Sequence, residues 1–393
     1  MRKVYMDHTA GMPVDLRVLE DMTPYFEKFY GNPSSLHSFS QEARKGLENA
    51  REKVANLVNA EKREEILFTS CATESNNWAI RGIAARNEKL GKHVITTSIE
   101  HMSVMNVCKH LMKKGFKVSF LPVDEYGVVD LEALKKELTD ETILVSVMYA
   151  NGEIGTIEPI KKVSEIVHSK NAYLHVDATA AMGQLEIDVQ KEGIDSLTLS
   201  SNDMYGPKGV GALYVKRGTR LEPLIFGGGQ EYGLRSGTEN LPGIVGMGKA
   251  AELTKAEMEM ESKRLSRLRD KFIKGLLEKI SYSFLNGHPT RRLPNNVAVR
   301  FSFIEGESML LNLNMAGVAA SSGSACTAKT LEPSHVLRAI GLKHEEAHGS
   351  LLFTLGKQNS EDDVDYVVSL LPDIVKRLRA MSPLTPKELR ENV

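Results

Sequence analysis

Four short segments carry the side chains with which this chain could do chemistry. Three of them directly follow apolar or β-branched runs, and they are CATES (71–75), HVDAT (175–179) and SSNDMYGPKG (200–209). Ligands in open α/β sheets bind just beyond the carboxyl ends of the strands, so these turns predict parts of one binding site. The fourth segment, SSGSACTAKT (321–330), places a cysteine among small polar residues.

The first two turns carry groups suited to a phosphate and to a protonated ring. In CATES, small residues and Thr73 at a strand-to-helix turn leave backbone N–H groups free to bind a phosphate. In HVDAT, Asp177 ends a strongly apolar strand, where a carboxylate could pair with a protonated ring nitrogen, as pyridoxal 5'-phosphate (PLP) enzymes require. Each feature alone also suits a simpler role, an ordinary turn for CATES and a helix N-cap for Asp177.

The third turn and a later glycine-rich loop are further candidates for binding an anion. Ser200 stands at the end of a predicted strand, shortly before the compact turn GPKG. The segment GGGQEYGLRSGTEN (227–240) contains enough glycine for its backbone to approach an anion closely. Either segment could equally be only a turn.

The three cysteines differ in their surroundings. Cys326 lies in the small-residue loop, and an exposed cysteine in such a loop is a candidate nucleophile or metal ligand. Cys108 lies in an apolar helical segment, which predicts a structural role. Together with Cys71 they are few, odd in number and far apart, which argues against a disulfide framework and for a reducing compartment. There is no CxxC pair, which argues against a zinc site built from this chain alone.

Short strand-like runs alternate with helical patterns between about residues 64 and 216. This alternation predicts an α/β fold with a mostly parallel, seven-stranded sheet and helices on both faces. The strand candidates are EEILFTS, HVITTS, KVSFLP, TILVSVMYA, YLHVDAT, DSLTLSS and GALYVK.

The length of 393 residues predicts more than one hydrophobic core. Residues 240–281 are charged and helical, and we interpret them as a connector into a smaller α+β domain. We predict a large domain over residues 15–255 and a small domain formed by residues 1–14 and 256–393. The small domain carries the cysteine loop, at about residues 321–335, and a polar tail.

The balance of charge excludes several classes of partner. The chain has 50 basic and 51 acidic residues, which gives no electrostatic footprint for nucleic acid or an anionic membrane. No apolar run approaches the length of a membrane-spanning helix. The first residues, MRKVYMDHTAGMP, lack the apolar region of a signal peptide, so we expect a cytoplasmic protein without nucleic-acid or membrane partners.

Taken together and in this order, the motifs closely resemble those of the IscS/NifS cysteine desulfurases, which are PLP enzymes. The long cysteine loop is similar to that of the IscS-like branch, and SPL (382–384) looks like the tail with which that branch meets the cluster scaffold IscU. The matching segments are GNPSSLHSFSQEAR (31–44), FTSCATESNN (68–77), IEHMSV (99–104), NGEIGTIEP (151–159), HVDAT (175–179), YGPKGVGALYV (205–215), GLRSGTEN (233–240), LPNNV (293–297), EGES (305–308) and SSGSACTAKTLEPSHVLRAIG (321–341).

The resemblance implies a fold-type-I homodimer with PLP bound at the subunit interface. In such proteins a lysine forms an imine with PLP, L-cysteine displaces that lysine, and a loop cysteine accepts the sulfur as a persulfide. The resemblance assigns a role here to each matching residue. His101 stacks on the pyridoxal ring and Asp177 pairs with its nitrogen, the phosphate is held by Ala72, Thr73, Ser200 and, from the other subunit, Thr238, and Cys326 accepts sulfur.

This sequence departs from the family pattern at the centre of that site. Asn202 and Asp203 stand where the resemblance implies histidine and then the imine-forming lysine. An aspartate cannot form an imine, and Lys208 belongs to GPKG, which the family has in addition to its catalytic lysine.

Other departures surround the same position. By the resemblance, Gly152 and Ala180 replace an asparagine and a glutamine near the pyridoxal oxygen, and Leu352 replaces the arginine that binds the substrate carboxylate. Cys71 replaces the glycine that begins the phosphate turn. We expect these four positions, together with Asn202 and Asp203, to lie at the cofactor.

Our hypothesis is an IscS-like protein of iron–sulfur cluster assembly without normal lysine-dependent desulfurase activity. PLP, if bound, would be noncovalent, and Cys326 would hold sulfur from L-cysteine or external sulfide, or ligate a [2Fe–2S] cluster shared with an IscU-type scaffold. The alternative is an active PLP-dependent desulfurase that converts L-cysteine to L-alanine, with a persulfide on Cys326, by a modified route.

Overall fold

A computed structural model of the chain describes residues 2–322 and 333–387, which contain twelve strands and thirteen α-helices. The strands are β1 (Val4–Tyr5), β2 (Ile66–Thr69), β3 (His93–Thr97), β4 (Lys117–Leu121), β5 (Thr142–Met148), β6 (Tyr173–Asp177), β7 (Ser196–Ser200), β8 (Gly211–Val215), β9 (Ser283–Leu285), β10 (Asn296–Phe301), β11 (Val318–Ala319) and β12 (Ser350–Thr354). The helices are α1 (Leu16–Met22), α2 (Pro24–Glu27), α3 (Phe39–Leu57), α4 (Ala72–Asn87), α5 (Met102–Lys113), α6 (Leu131–Glu137), α7 (Ile160–His168), α8 (Val189–Glu192), α9 (Leu241–Lys279), α10 (Gly306–Met315), α11 (His335–Ala339), α12 (His344–His348) and α13 (Glu361–Met381).

A seven-stranded sheet forms the centre of the structure, in the order β2-β8-β7-β6-β5-β3-β4. All neighbouring pairs are parallel except those of β8, which is antiparallel to both β2 and β7. The predicted α/β fold with a mostly parallel sheet is therefore confirmed, and each of the seven predicted runs contains one of these strands. β2, β3, β5 and β7 are buried at every position, which explains why their sequences are nearly continuous in apolar and β-branched residues.

Helices cover the sheet and bury its side chains. On one side, α4 and α5 share a buried cluster with β3 and β5, in which Ile83, Val104 and Leu144 take part. Elsewhere α9 packs closely on α3, because a Cβ at Gly248 would lie 2.5 Å from the Cα of Ala50. Only glycine permits this approach of the two helices.

A second, smaller group of strands lies in the C-terminal part of the chain. β12, β10 and β9 form an antiparallel sheet, and β1 pairs in parallel with β11. Helix α9 contributes to two buried clusters, through Met247 and its neighbours to that of the large sheet and through Phe272 to that of the small one. On this basis we propose the boundary between a large and a small domain near residue 255.

Helix α9 is 39 residues long and carries charged side chains along its length, among them Glu257, Lys263 and Arg269. Among the described residues, none of the helices combines the length and the apolar character needed to cross a bilayer.

Candidate functional site

A cavity of about 460 Å³ lies at the carboxyl edge of the large sheet. Its walls come from the segments that follow β2, β3, β5, β6 and β7, which the parallel strands bring to one edge. His335 of α11 and Leu352 of β12 close it from the C-terminal part of the chain.

The cavity brings together most of the residues selected from the sequence. Those that line it are Ala72, Thr73, His101, Gly152, Asp177, Ala180, Asp203 and Leu352. Ser200 and Asn202 are not among the described lining residues, and the Asn202 Oδ1 accepts a hydrogen bond from the Met12 amide at 3.3 Å. Thr238 lines a different cavity, of about 100 Å³, together with Ser70 and Arg235. Cys326 lies outside the described residues.

The Asp177 carboxylate is fixed at the end of β6 by three hydrogen bonds. Its Oδ1 accepts from the Thr179 amide at 3.0 Å and from the Thr179 hydroxyl at 2.6 Å, and its Oδ2 accepts from the Asn76 Nδ2 at 2.7 Å. An ionised carboxylate has about four acceptor positions, so one remains for a further donor. Asp177 can therefore receive a protonated ring nitrogen without losing its present partners.

His101 is linked to Asp177 through two intervening side chains. The same Asn76 amide group donates to the Ser103 hydroxyl at 2.8 Å, and that hydroxyl lies 2.8 Å from the His101 Nδ1. The Ser103 backbone amide also donates to this Nδ1, at 3.2 Å, so the neutral ring carries its proton on Nε2. The ring is thereby held at the N-cap of α5, at the border of the cavity.

The sequence reasoning missed Asn76 and Ser103. Asn76 had a readable signal, because it follows Ala72 and Thr73 by one helical turn and must share their face of α4. Ser103 had none, since its link to Asn76 joins two helices that are separate in the sequence.

The start of α4 offers amide groups for an anion. Ala72 and Thr73 are its first two residues, and the N-cap Cys71 provides no side-chain hydrogen bond to them. The turn also packs tightly on β8, because a Cβ at Gly211 would lie 2.7 Å from the carbonyl carbon of Cys71. Uncapped amides at a helix N-terminus are suited to a phosphate.

Asp203 places a carboxyl group in the wall of the cavity. It lies in a single 3-10 turn after β7, which ends at Tyr205 with a left-handed φ of 59°. Its residue exposure is only 8%. Burial raises the pKa of Asp203 to about 7. The hydrogen bond from Ser200 opposes this rise in the pKa, and the negative charge of Asp177 adds to it.

Two further carboxyl groups that the sequence reasoning missed, Glu100 and Glu153, also line the cavity. The Glu100 Oε1 accepts from the Thr97 hydroxyl at 2.7 Å and from the Met148 amide at 2.9 Å, while its buried Oε2 has no partner. In Glu153 the Oε2 accepts from Ser334 at 2.8 Å and the buried Oε1 has none. Burial raises the pKa of each to about 8, so both are mostly neutral at pH 7.

The cavity is rich in acidic groups and poor in basic ones. Among the described residues that line it are five with carboxyl groups and no lysine or arginine. Leu352, buried on β12, contributes only an apolar wall. Lys208 is directed to a loop contact instead, where its Nζ donates to the Met12 carbonyl at 2.9 Å.

The two described cysteines differ in their exposure. Cys108 is fully buried in α5, and burial raises the pKa of its thiol to about 12, so it is unreactive. Cys71 is exposed at the start of α4. Within the part of the chain that the structure describes, no three histidine, cysteine, aspartate or glutamate side chains are grouped as a metal ion would require.

The donor set therefore fits PLP in all but its covalent attachment. The described residues offer amides for a phosphate at Ala72 and Thr73, a carboxylate for the ring nitrogen at Asp177, and an imidazole beside the ring at His101. The amine that would attach the cofactor is missing from the described lining.

Comparison with known proteins places these features in a family context. The chain matches the family "Aminotransferase class-V" over residues 4–367. It is 60% identical over 380 residues to "Cysteine desulfurase IscS 1" of Archaeoglobus fulgidus, covering 97% of this chain and 99% of that protein. It is 52% identical over 389 residues to "Cysteine desulfurase IscS" of Methanosarcina thermophila, covering 99% of this chain and 96% of that protein. A solved structure titled "NIFS-LIKE PROTEIN" superposes with a TM-score of 0.90 at 40% identity, covering 96% of this chain and all of that one.

Proposed function

The chain belongs to the class-V aminotransferase family and, within it, to the IscS/NifS-type cysteine desulfurases, and we propose that it serves iron–sulfur cluster assembly without lysine-dependent desulfurase chemistry. The observation that carries this proposal is the lining of the cavity. Asp203 and Leu352 are part of it, and no lysine or arginine is present among its described residues.

The proposed cofactor is PLP, held without a covalent bond to the chain. When bound, it supplies an electron sink for the bonds of a substrate carbon. Asp177 would hold the ring nitrogen protonated, His101 would lie beside the ring, and the first amides of α4 would hold the phosphate. Ser200 supports the site indirectly, through its hydrogen bond to Asp203.

Two steps of the usual reaction lack a suitable group among the described residues of this cavity. Only a primary amine could attach the cofactor and then move the proton of the substrate α-carbon, and a carboxyl group at position 203 cannot do the first. The carboxylate of a cysteine substrate also meets Leu352 instead of a guanidinium, so it loses a strong, charge-assisted contact.

We propose that Cys326 is the functional thiol. The residue lies outside the described part of the chain, and its sequence context of small polar residues supports this role. It would ligate a [2Fe–2S] cluster together with thiolates of an IscU-type scaffold, with external sulfide supplying the bridging sulfur, or accept sulfur as a persulfide from a persulfide donor.

A second candidate is an active cysteine desulfurase, and the names of the relatives favour it. It would convert L-cysteine to L-alanine and leave a persulfide on Cys326. A specific feature also favours this route, because a carboxyl group with a pKa of about 7 could serve as a general base at Asp203.

One assay separates the two candidates. Alanine release from L-cysteine is measured for the full chain with and without added PLP, and for Asp203→Lys, Leu352→Arg and the double variant. We expect no release by the native chain, partial activity with lysine alone, and more from the double variant than the single effects add up to, because attachment and substrate orientation act together. Steady alanine release by the native chain with PLP would establish the modified route instead.

A further inference from the structure

The charge of the cavity bears on which form of the cofactor it holds. A PLP-type cofactor exists with an aldehyde, an alcohol or an amine on the carbon opposite the ring nitrogen, and only the amine carries a positive charge near pH 7. The described lining offers five acidic residues and no lysine or arginine. Histidine is the only basic type there, with His101 and His335, and burial lowers the pKa of His335.

The five acidic residues differ in their contacts, and three of them are less suited to a cation than the other two. Asp177 already accepts three hydrogen bonds and is suited to the ring nitrogen. Glu100 and Glu153 are buried carboxyls, each with one oxygen engaged and the other without a partner, and their raised pKa values keep them mostly neutral. Asp7 and Asp203 remain.

Asp203 is the better placed of these two. It follows β7, which is the direct neighbour of the strand that carries Asp177, and it is close enough to Asp177 for their charges to repel. A cation bound beside Asp203 would relieve that repulsion and compensate the burial of the carboxylate. Asp7 lies instead beside β12, where it forms a β-bridge with Thr354.

We propose that the cavity binds pyridoxamine 5'-phosphate, the amine form of the cofactor, in preference to PLP, with the Asp203 carboxylate pairing with its ammonium group. This inference rests on the proposed function, since it presupposes a phosphate-bearing pyridine cofactor in this cavity. An amine on the cofactor cannot condense with the amino group of cysteine, so a chain in this state is inert toward cysteine while its cofactor site is filled.

Equilibrium dialysis of the full chain against three vitamers tests the proposal. Pyridoxamine, pyridoxine and pyridoxal 5'-phosphates share the ring and the phosphate and differ only in the group on the carbon opposite the ring nitrogen. A hydrogen bond between two charged groups contributes about 1.5–3 kcal/mol, so the amine form should bind about tenfold or more tightly than the alcohol form. This comparison uses the native chain and does not depend on the folding of any variant.

Two variants assign the preference to one residue. Asp203→Asn should bring the affinities for the amine and alcohol forms to within about threefold of each other, since the charge is lost and the shape is kept. Asp7→Asn is the matched control, because it removes one carboxylate from the same cavity, and it should keep most of the preference. If both variants lose the preference equally, the general acidity of the cavity causes it and the assignment to Asp203 is overturned.

The outcomes also separate this inference from the proposed function. Equal affinity of the native chain for the amine and alcohol forms overturns the preference and leaves the cofactor site in place. Failure of all three vitamers to bind more tightly than inorganic phosphate overturns both the preference and the cofactor site on which it rests.

Discussion

A buried carboxyl group at position 203 has a cost that depends on pH. The pKa of an aspartate is about 3.9 in an unfolded chain, and burial raises that of Asp203 to about 7 in the folded protein. Between these values the folded state binds more protons than the unfolded state, so the free energy of unfolding falls as the pH rises. The native chain tolerates this loss of stability at a residue that lines the cavity at the carboxyl edge of the large sheet. Such a cost is typical of a functional position.

Asp203→Asn should remove this loss, and its effect should therefore depend on pH. We expect the melting temperature of the variant to exceed that of the native chain by a margin that grows between about pH 5 and about pH 8. The measurement is thermal unfolding of both proteins across this range without cofactor. Asp140→Asn, at an exposed aspartate, serves as the control and should show no such trend. A margin that stays constant with pH would mean that Asp203 is not a group that folding protonates.

The residue scale also shows where prediction from the sequence ends. Asp177 and Thr73 could be selected because each follows a recognisable strand, and the parallel sheet then brings both to one edge. Glu100 and Glu153 could not be selected. Their protonation depends on burial, and Glu153 is covered partly by Ser334, which lies far away in the sequence.

At the scale of elements, one buried ion pair holds the glycine-rich loop against the rest of the chain. Glu231 of this loop accepts two hydrogen bonds from Arg51 of α3, at 2.7 and 2.8 Å, and a third from the Phe68 amide of β2 at 2.9 Å. Both charged side chains are only 2% exposed. The backbone at Glu231 and Tyr232 is left-handed, with φ of 47° and 58°, so the loop needs such an anchor to keep this conformation.

Glu231→Gln should destabilise the protein strongly. It leaves the buried Arg51 charge with only the longer contact to Glu48, at 3.5 Å, and breaking a buried pair typically costs about 3–5 kcal/mol. The check is the free energy of unfolding from urea titration. The matched control is Glu259→Gln in an exposed pair with Lys263 on α9, which should cost about 0–1 kcal/mol. Similar losses in the two variants would contradict a dominant role of burial.

Elements were easier to predict from the sequence than their orientations. The seven strands of the large sheet are recognisable because their runs are apolar, β-branched and bounded by turn residues. That β8 runs against its neighbours does not follow from its own residues. It follows from the short connection after β7, which leaves no room for the crossover helix that a parallel strand would need.

At the scale of the whole molecule, we propose that the chain forms the homodimer that its family resemblance implies, because large apolar side chains are exposed on its surface. Large apolar residues are exposed in two stretches, near the N-terminus and before the glycine-rich loop, and they include Leu36 at 98% and Phe226 at 82%. Side chains of this kind are commonly buried by a partner. Thr238, which lines a cavity apart from the main site, would then contribute to the site of the second copy.

Leu36→Asp and Phe226→Asp should each weaken the dimer, because a charge would be buried between the two copies. Sedimentation velocity over a dilution series gives the dissociation constant. Leu90→Asp is the control, since Leu90 is also exposed, at 61%, and lies outside both stretches. A native chain that remains monomeric at all concentrations, or a control that dissociates equally, would count against this assignment of the interface.

We expect Cys326 to act in a complex with a scaffold protein. The loop SSGSACTAKTLEPSH keeps the family pattern, although the described residues of the cavity lining include no amine that would load its thiol with sulfur. A reduced thiolate can ligate iron, and three scaffold cysteines would leave one position of a cluster for it. Anaerobic reconstitution with an IscU-type partner should therefore give a cluster whose absorption spectrum and lifetime change in Cys326→Ser but not in Cys71→Ser. Cys71 is the proper comparison, because it is the exposed cysteine among the described residues. An unchanged cluster in Cys326→Ser would reject the ligand role and leave sulfur transfer as the function of the loop.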